Sequence, residues 1–213
     1  GHASLVSEDE IQAVRTSSSP GEEEIKRSLD TIRYRILAFC GATPGDWDFI
    51  IQKSNEEGNV VPELDSEKRI VFPLSVYLED IRSPFNVGSI FRTAESFGVS
   101  RIYISPDTAS PLHRRAVRTA RGCEIPWEIR RISEISPDEG IFALELGGED
   151  IDHFQFPAQG MVIVGSEELG VSPEALALAK NRKVSIPLYG AKGSLNVSVA
   201  FGILMHAWIN QIR

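Results

Sequence analysis

From residue 71 onward, short apolar runs alternate with segments whose apolar residues recur every three or four positions. Ser75–Leu78 and Arg101–Ser105 (RIYIS) have the composition of strands. Between them, Ser83-Pro84 opens a helix that carries Ile90, Phe91, Ala94 and Phe97 and stops at Gly98. Gly140–Leu146 (GIFALEL) and Met161–Val164 (MVIV) are continuous apolar runs, as expected of central strands covered on both faces. Ser172-Pro173 starts a further helix through Ala179, Lys183–Leu188 gives a last strand, and Leu195–Trp208 reads as a buried C-terminal helix. Strands alternating with helices predict right-handed crossovers and a mostly parallel sheet flanked by helices, an α/β fold.

The first 70 residues have a different pattern. Residues 4–19 hold a short helical pattern and a serine run, and Ser19-Pro20-Gly21 is a turn. The segment after it places Ile25, Leu29, Ile32, Ile36 and Leu37 on a helical stripe, with acids in the first turn where the helix dipole favours them. Gly41 to Gly45 ends that helix. A short apolar patch (Trp47, Phe49, Ile50, Ile51) and a polar connector follow. The pattern therefore predicts an acidic, mainly helical extension over 1–70 and an α/β domain over 71–213.

Composition adds limits. With 42% hydrophobic and 24% charged residues, the chain has the profile of a soluble globular protein. It has no apolar run of transmembrane length and no charged-then-apolar order of a signal peptide. Cys40 and Cys123 form no metal-type spacing. These features predict a cytoplasmic protein without a metal or a membrane partner. The net charge of −8 argues against nucleic acid until its distribution is considered: residues 1–70 carry −6 and residues 71–213 only −2. Arg114, Arg115, Arg118, Arg121, Arg130 and Arg131 fall within 18 residues that hold two acids, Glu124 and Glu128. Guanidinium groups bind phosphates in a bidentate way, and screening confines distant charges to about 10 Å, so this stripe is a candidate RNA track. A solvated arginine-rich face is the competing reading.

Three loops at strand ends stand out, where α/β proteins place ligands. They are Asp80–Gly98, Val164–Ser172 and Ile186–Val199. In the last, Gly190 and Gly193 suggest close backbone approach, and Ser194 and Asn196 offer caps at a helix start. None matches a dinucleotide or phosphate-loop fingerprint.

Taken in order, Asn86-Val87-Gly88 with Arg92-Thr93-Ala94, Gly165-Ser166-Glu167 with Gly170, and Ile186-Pro187 with Ser194-Leu195-Asn196-Val197-Ser198 resemble the motifs of the SpoU-type branch of the SPOUT superfamily. These are S-adenosylmethionine-dependent RNA 2′-O-ribose methyltransferases. The resemblance covers roughly residues 72–213. It implies a deep C-terminal trefoil knot whose crossing holds the cofactor, with Gly165, Gly170, Ile186, Leu188, Ser194 and Leu195 around it. It implies that Arg92 acts at the 2′-hydroxyl, with Asn86, Glu167 and Asn196 shaping the site, on a tRNA or rRNA substrate; Arg114, Arg115, Arg118 and Arg121 of the arginine stripe are the candidates for tracking that RNA. It also implies a homodimer, to which Phe201, Ile203, Leu204, Met205, Trp208 and Ile209 could contribute, although burial in one subunit's core explains the same residues. Base-nitrogen methylation and non-catalytic RNA binding are the alternatives. A guanidinium gives up its proton only at high cost, so stabilising a developing alkoxide is easier for Arg92 than acting as base.

Overall fold

The computed structural model describes residues 21–40, 52–54, 60–62, 69–138 and 140–213. The helical pattern over 4–19, the end of the first helix at 41–45 and the patch at 47–51 lie outside the described residues. The chain divides into two compact units, Gly1–Glu63 and Leu64–Arg213.

In the first unit, α1 (Glu22–Phe39) forms where the stripe predicts it, but Leu29 and Ile36 stand exposed and Ile32 is half-buried. Two strands, β1 (Gln52–Ser54) and β2 (Val60–Pro62), pair antiparallel with Lys53 opposite Val61. The sequence reads as a polar connector here. Three-residue strands are too short to show an alternation.

The second unit is built on a six-stranded sheet in the order β5-β4-β3-β7-β6-β8, every neighbouring pair parallel. In chain order its elements are β3 (Phe72–Leu78), α2 (Pro84–Ser96), β4 (Val99–Ile104), α3 (Arg114–Ala120), β5 (Trp127–Ile129), β6 (Ile141–Asp150), β7 (Gly160–Val164), α4 (Pro173–Leu178), β8 (Lys183–Ser185) and α5 (Val197–Ile212). Strands and helices mostly alternate, as the sequence predicts, but β6 passes to β7 with no helix between them, and α3 and β5 were not predicted. The boundaries differ in instructive ways. β8 stops at Ser185, because Pro187 has no N–H to donate to a ladder. β6 runs on to Asp150, with a register shift that pairs Val184 with both Leu144 and Glu149. α5 begins at Val197, two residues later than expected, because Asn196 is its cap: Oδ1 accepts from the Ser198 and Val199 amides at 3.0 and 3.3 Å.

Both faces of the sheet are covered. On one, α2 and α5 bury Ile90, Phe91, Phe201, Leu204 and Met205 against Leu74, Val76 and Leu78. Trp208 closes this core among Phe142, Phe154 and Phe156, and its Nε1 donates to the Pro157 carbonyl at 2.7 Å. On the other, Val171, Ala175 and Ala179 lie with Tyr77, Ile141 and Ile163. Five of the six C-terminal apolar residues considered for a dimer are thus core; only Ile203 is exposed, together with Val199 one turn before it.

Candidate active site

The carboxyl ends of β3 and β7 and the segment after β8 each feed one of the three loops. The first turns at Asp80, whose φ is +54°. Its amide donates to Ser105 Oγ at 2.9 Å, and that hydroxyl donates to Asp80 Oδ1 at 2.7 Å. The chain then enters α2 through Ser83, whose Oγ accepts from the Asn86 amide, with Pro84 at the first helical position. In the second loop, Ser166 and Gly170 exchange backbone hydrogen bonds of 3.1 and 3.0 Å, so Glu167, Glu168 and Leu169 are carried on a tight turn. The Glu79 carboxylate, nearly buried at the end of β3, accepts from the Ser172 amide and hydroxyl at 2.8 and 2.6 Å. That bond fixes the far end of the second loop to the first.

Asn86 joins all three loops. Its Nδ2 donates to Glu167 Oε1 at 2.8 Å, and its Oδ1 accepts from Asn196 Nδ2 at 3.0 Å. Glu167 also accepts from the Arg82 and Ser83 amides at 3.0 and 3.3 Å. A side-chain amide serves both partners at once, whereas a carboxylate has no donor and an ammonium no acceptor. Burial pushes the Glu167 carboxyl up, but the hydrogen bonds from Asn86 and the neighbouring amides outweigh it and hold it below the ordinary carboxylate range. A depressed folded value means that these bonds stabilise the fold above the unfolded value of about 4.3 and lose their effect as pH falls through the folded one. The group is partly solvated, so this contribution is small. Asn86→Asp sets two carboxylates against each other; the Glu167 titration followed by NMR is expected to move upward, and an unmoved titration would show that this bond does not hold the loop.

Beside this junction lies a cavity of about 540 Å³. Gly165, Gly170, Ile186, Leu188, Ser194 and Leu195, all singled out from the sequence, line it, as do Glu167 and Asn196. Asn86 bonds to two lining residues without lining the cavity itself, and Arg92 is not among its lining residues. Arg92 lies half-buried on α2, two turns into the helix, and its carbonyl accepts from Ser96 Oγ at 3.0 Å.

Gly190 and Gly193 have ordinary φ values and no protein atom within 4 Å of where a Cβ would sit, and Gly193 lines the cavity. Gly165 is crowded: a Cβ there would overlap the Gly170 carbonyl group and the Val171 amide. Glu145 was not anticipated. It lines the cavity, and its carboxylate accepts from the Leu146 and Val171 amides at 2.8 and 2.7 Å. A single acid inside an apolar strand run was its only signal.

The arginine stripe is divided by the fold. Arg114, Arg115 and Arg118 are exposed on α3, and Arg121 is half-buried at its C-cap in the left-handed region with φ +57°. Arg130 instead pairs with Glu128 at 2.9 Å, which also bonds Arg101. This pair belongs to the sheet edge. Among the described residues, no group of three or more His, Cys, Asp or Glu side chains is placed to hold a metal, and no helix is long and apolar enough to cross a membrane.

Comparison with known proteins agrees with this geometry. The SpoU rRNA Methylase family pattern matches residues 73–206, and the chain belongs to that family. An uncharacterized tRNA/rRNA methyltransferase of Mycoplasma genitalium is 28% identical over 146 residues, 63% of this chain and 60% of that protein. The 23S rRNA (guanosine-2′-O-)-methyltransferase of Photobacterium profundum is 27% identical over 148 residues, 65% of this chain. The chain spans 60% of the length of each of these relatives. An AdoMet-bound rRNA methyltransferase from Sinorhizobium meliloti superposes with a TM-score of 0.60 at 26% identity, covering 67% of this chain and 59% of that one.

Proposed function

We propose that this chain transfers a methyl group from S-adenosylmethionine to a ribose 2′-hydroxyl of a structured RNA, tRNA or rRNA. The observation that carries the reading is the Asn86–Glu167–Asn196 junction at the rim of a cavity lined by every residue expected around the cofactor.

The cavity's chemistry suits that donor. Its volume is in the range of small-molecule sites. Ile186, Leu188 and Leu195 offer apolar surface for a purine, and the short turn at Gly165 exposes main-chain groups. The lining includes Glu145, Glu167 and Glu168 and no Lys, Arg or His. Acidic walls favour a ligand carrying a sulfonium and an ammonium. Bound there, S-adenosylmethionine supplies an electrophilic methyl group. The protein's part is to present a ribose oxygen to it. Asn86 and Glu167 fix the rim, and Asn196 locks the start of α5 against it. Arg92 holds an RNA phosphate and stabilises the oxygen as its proton passes to solvent; the O–CH3 bond forms as the S–CH3 bond breaks, and S-adenosylhomocysteine leaves.

Two finer features belong to the same reading. The C-terminal segment, from the short β8 into α5, forms a trefoil knot around the cofactor cleft; Ser185, Ile186, Leu188 and Gly193–Val197 of that segment line the cavity. Val199 and Ile203, exposed one turn apart on α5, contribute to a homodimer face.

Calorimetry with S-adenosylmethionine, followed by transfer of labelled methyl to total tRNA and rRNA, tests the function. Label at bonds that resist alkaline cleavage is the expected result; alkali-labile label would mean base methylation, and absence of donor binding would mean a non-catalytic RNA binder. The RNA track has its own test. Replacing Arg114 and Arg118 by alanine is expected to lower the slope of log K against log salt by about one to two, since each phosphate contact contributes roughly 0.7 to 0.9. An unchanged slope would leave them as a solvated face.

A further inference from the structure

We propose that Phe85, paired with the Arg115 guanidinium, is a stacking platform for an unpaired base of the RNA substrate, so that the methylated nucleotide lies in a loop or single strand rather than within a duplex. This rests on the function proposed above. Phe85 is the second residue of α2 and immediately precedes Asn86, the hub of the three loops. A large apolar ring at such a position is normally buried, yet Phe85 is 54% exposed. Arg115 places its Cζ 5.5 Å from the ring centroid. A guanidinium over an aromatic face is an attractive pair, and a nucleobase, with its own π-face, adds to it as a third layer.

The arrangement is held from below. At Gly88, one turn along α2, a Cβ would overlap the Ala116 carbonyl and come within 2.8 Å of Thr119 Cβ. The two helices therefore meet backbone to backbone, and the start of α3 is fixed over the start of α2. The Arg115 amide is further held by His113 Nδ1 at 3.2 Å, which caps α3. Arg114 and Arg118 stand exposed on the same short helix and supply charge for the flanking phosphates.

Stacking of this kind ignores base identity but requires a base free of its neighbours. In a duplex both faces of each base are covered, and recognition passes to phosphates and 2′-hydroxyls. The platform thus selects nucleotide conformation, and the adjoining cleft selects the ribose.

The test uses the full chain, a single-stranded RNA of ten adenosines, and an abasic ribose-phosphate chain of the same length. Phe85→Ala is expected to weaken adenosine-oligomer binding roughly tenfold, leaving the abasic chain and S-adenosylmethionine bound as before, and Phe85→Trp is expected to restore it. On methylated RNA the loss should appear in KM more than in kcat. Equal binding of the adenosine oligomer by the parent and Phe85→Ala overturns the platform, as does an equal loss on both oligomers. A parent protein that binds neither S-adenosylmethionine nor RNA overturns the function itself; one that methylates RNA with Phe85→Ala unchanged overturns only this inference.

Discussion

Replacing Arg92 by alanine is expected to lower methyl transfer by about two to three orders of magnitude, the usual cost of losing one donor to a developing oxyanion, while S-adenosylmethionine binding is unchanged. The separation of the two effects follows from position. Arg92 is on α2, and the lining of the cavity comes from β6, β7, the loops after β7 and β8, and the start of α5. The helix that carries it is anchored independently, through Ile90, Phe91 and Ala94 in the core and through Thr93, whose Cγ2 lies 3.8 Å from where a Cβ on Gly202 would be. Truncation at 92 therefore leaves the helix in place. Arg92→Lys then separates two roles. A lysine keeps the charge and loses the planar fork, and it releases a proton more readily. If the residue works by holding phosphate and alkoxide, lysine should recover little and the rate should not acquire a new ionisation. Substantial recovery with a new basic limb in the pH profile would make it a base. Normal transfer by Arg92→Ala would remove the residue from the chemistry.

The parallel sheet and the three loops were legible because β3, β6 and β7 contain compact apolar runs and each loop begins with a short polar or glycine-rich break. Asn86, Glu167 and Asn196 could be named from motif order, but not the bonds between them, which join positions 81 and 110 residues apart. Other features had no periodic signal. Seven residues of α3 and three of β5 are too few for a pattern to emerge, so a helix and a strand both read as an arginine stripe. Glu145 is the one acid inside the apolar run GIFALEL; its two backbone donors, the amides of residues 146 and 171, appear only when the fold brings them beside it. Every glycine looks permissive in a sequence, and only packing distinguishes Gly165, pressed against another backbone, from Gly190, which faces open space.

That contrast leads to the second large effect. Gly165→Ala is expected to abolish S-adenosylmethionine binding and to destabilise the fold by about 1–3 kcal/mol, the common cost of overpacking. The added carbon meets the Gly170 carbonyl group and the Val171 amide, which are backbone and cannot rotate away. Either β7 or the turn must shift. A shift of the turn breaks the paired Ser166–Gly170 bonds. It also pulls Val171 from Glu145, whose carboxylate is packed so closely under Gly170 that a Cβ there would overlap it. The wall of the cavity and the support behind it are thus the same few atoms. Gly190→Ala serves as the control: with no neighbour within 4 Å and no left-handed φ, it should change stability by less than about 0.5 kcal/mol and leave binding intact. Chemical denaturation and donor calorimetry on both variants decide it. Equal behaviour of the two would mean that the turn yields without cost, and the rigid cleft required for methyl transfer would then have to be built from other residues.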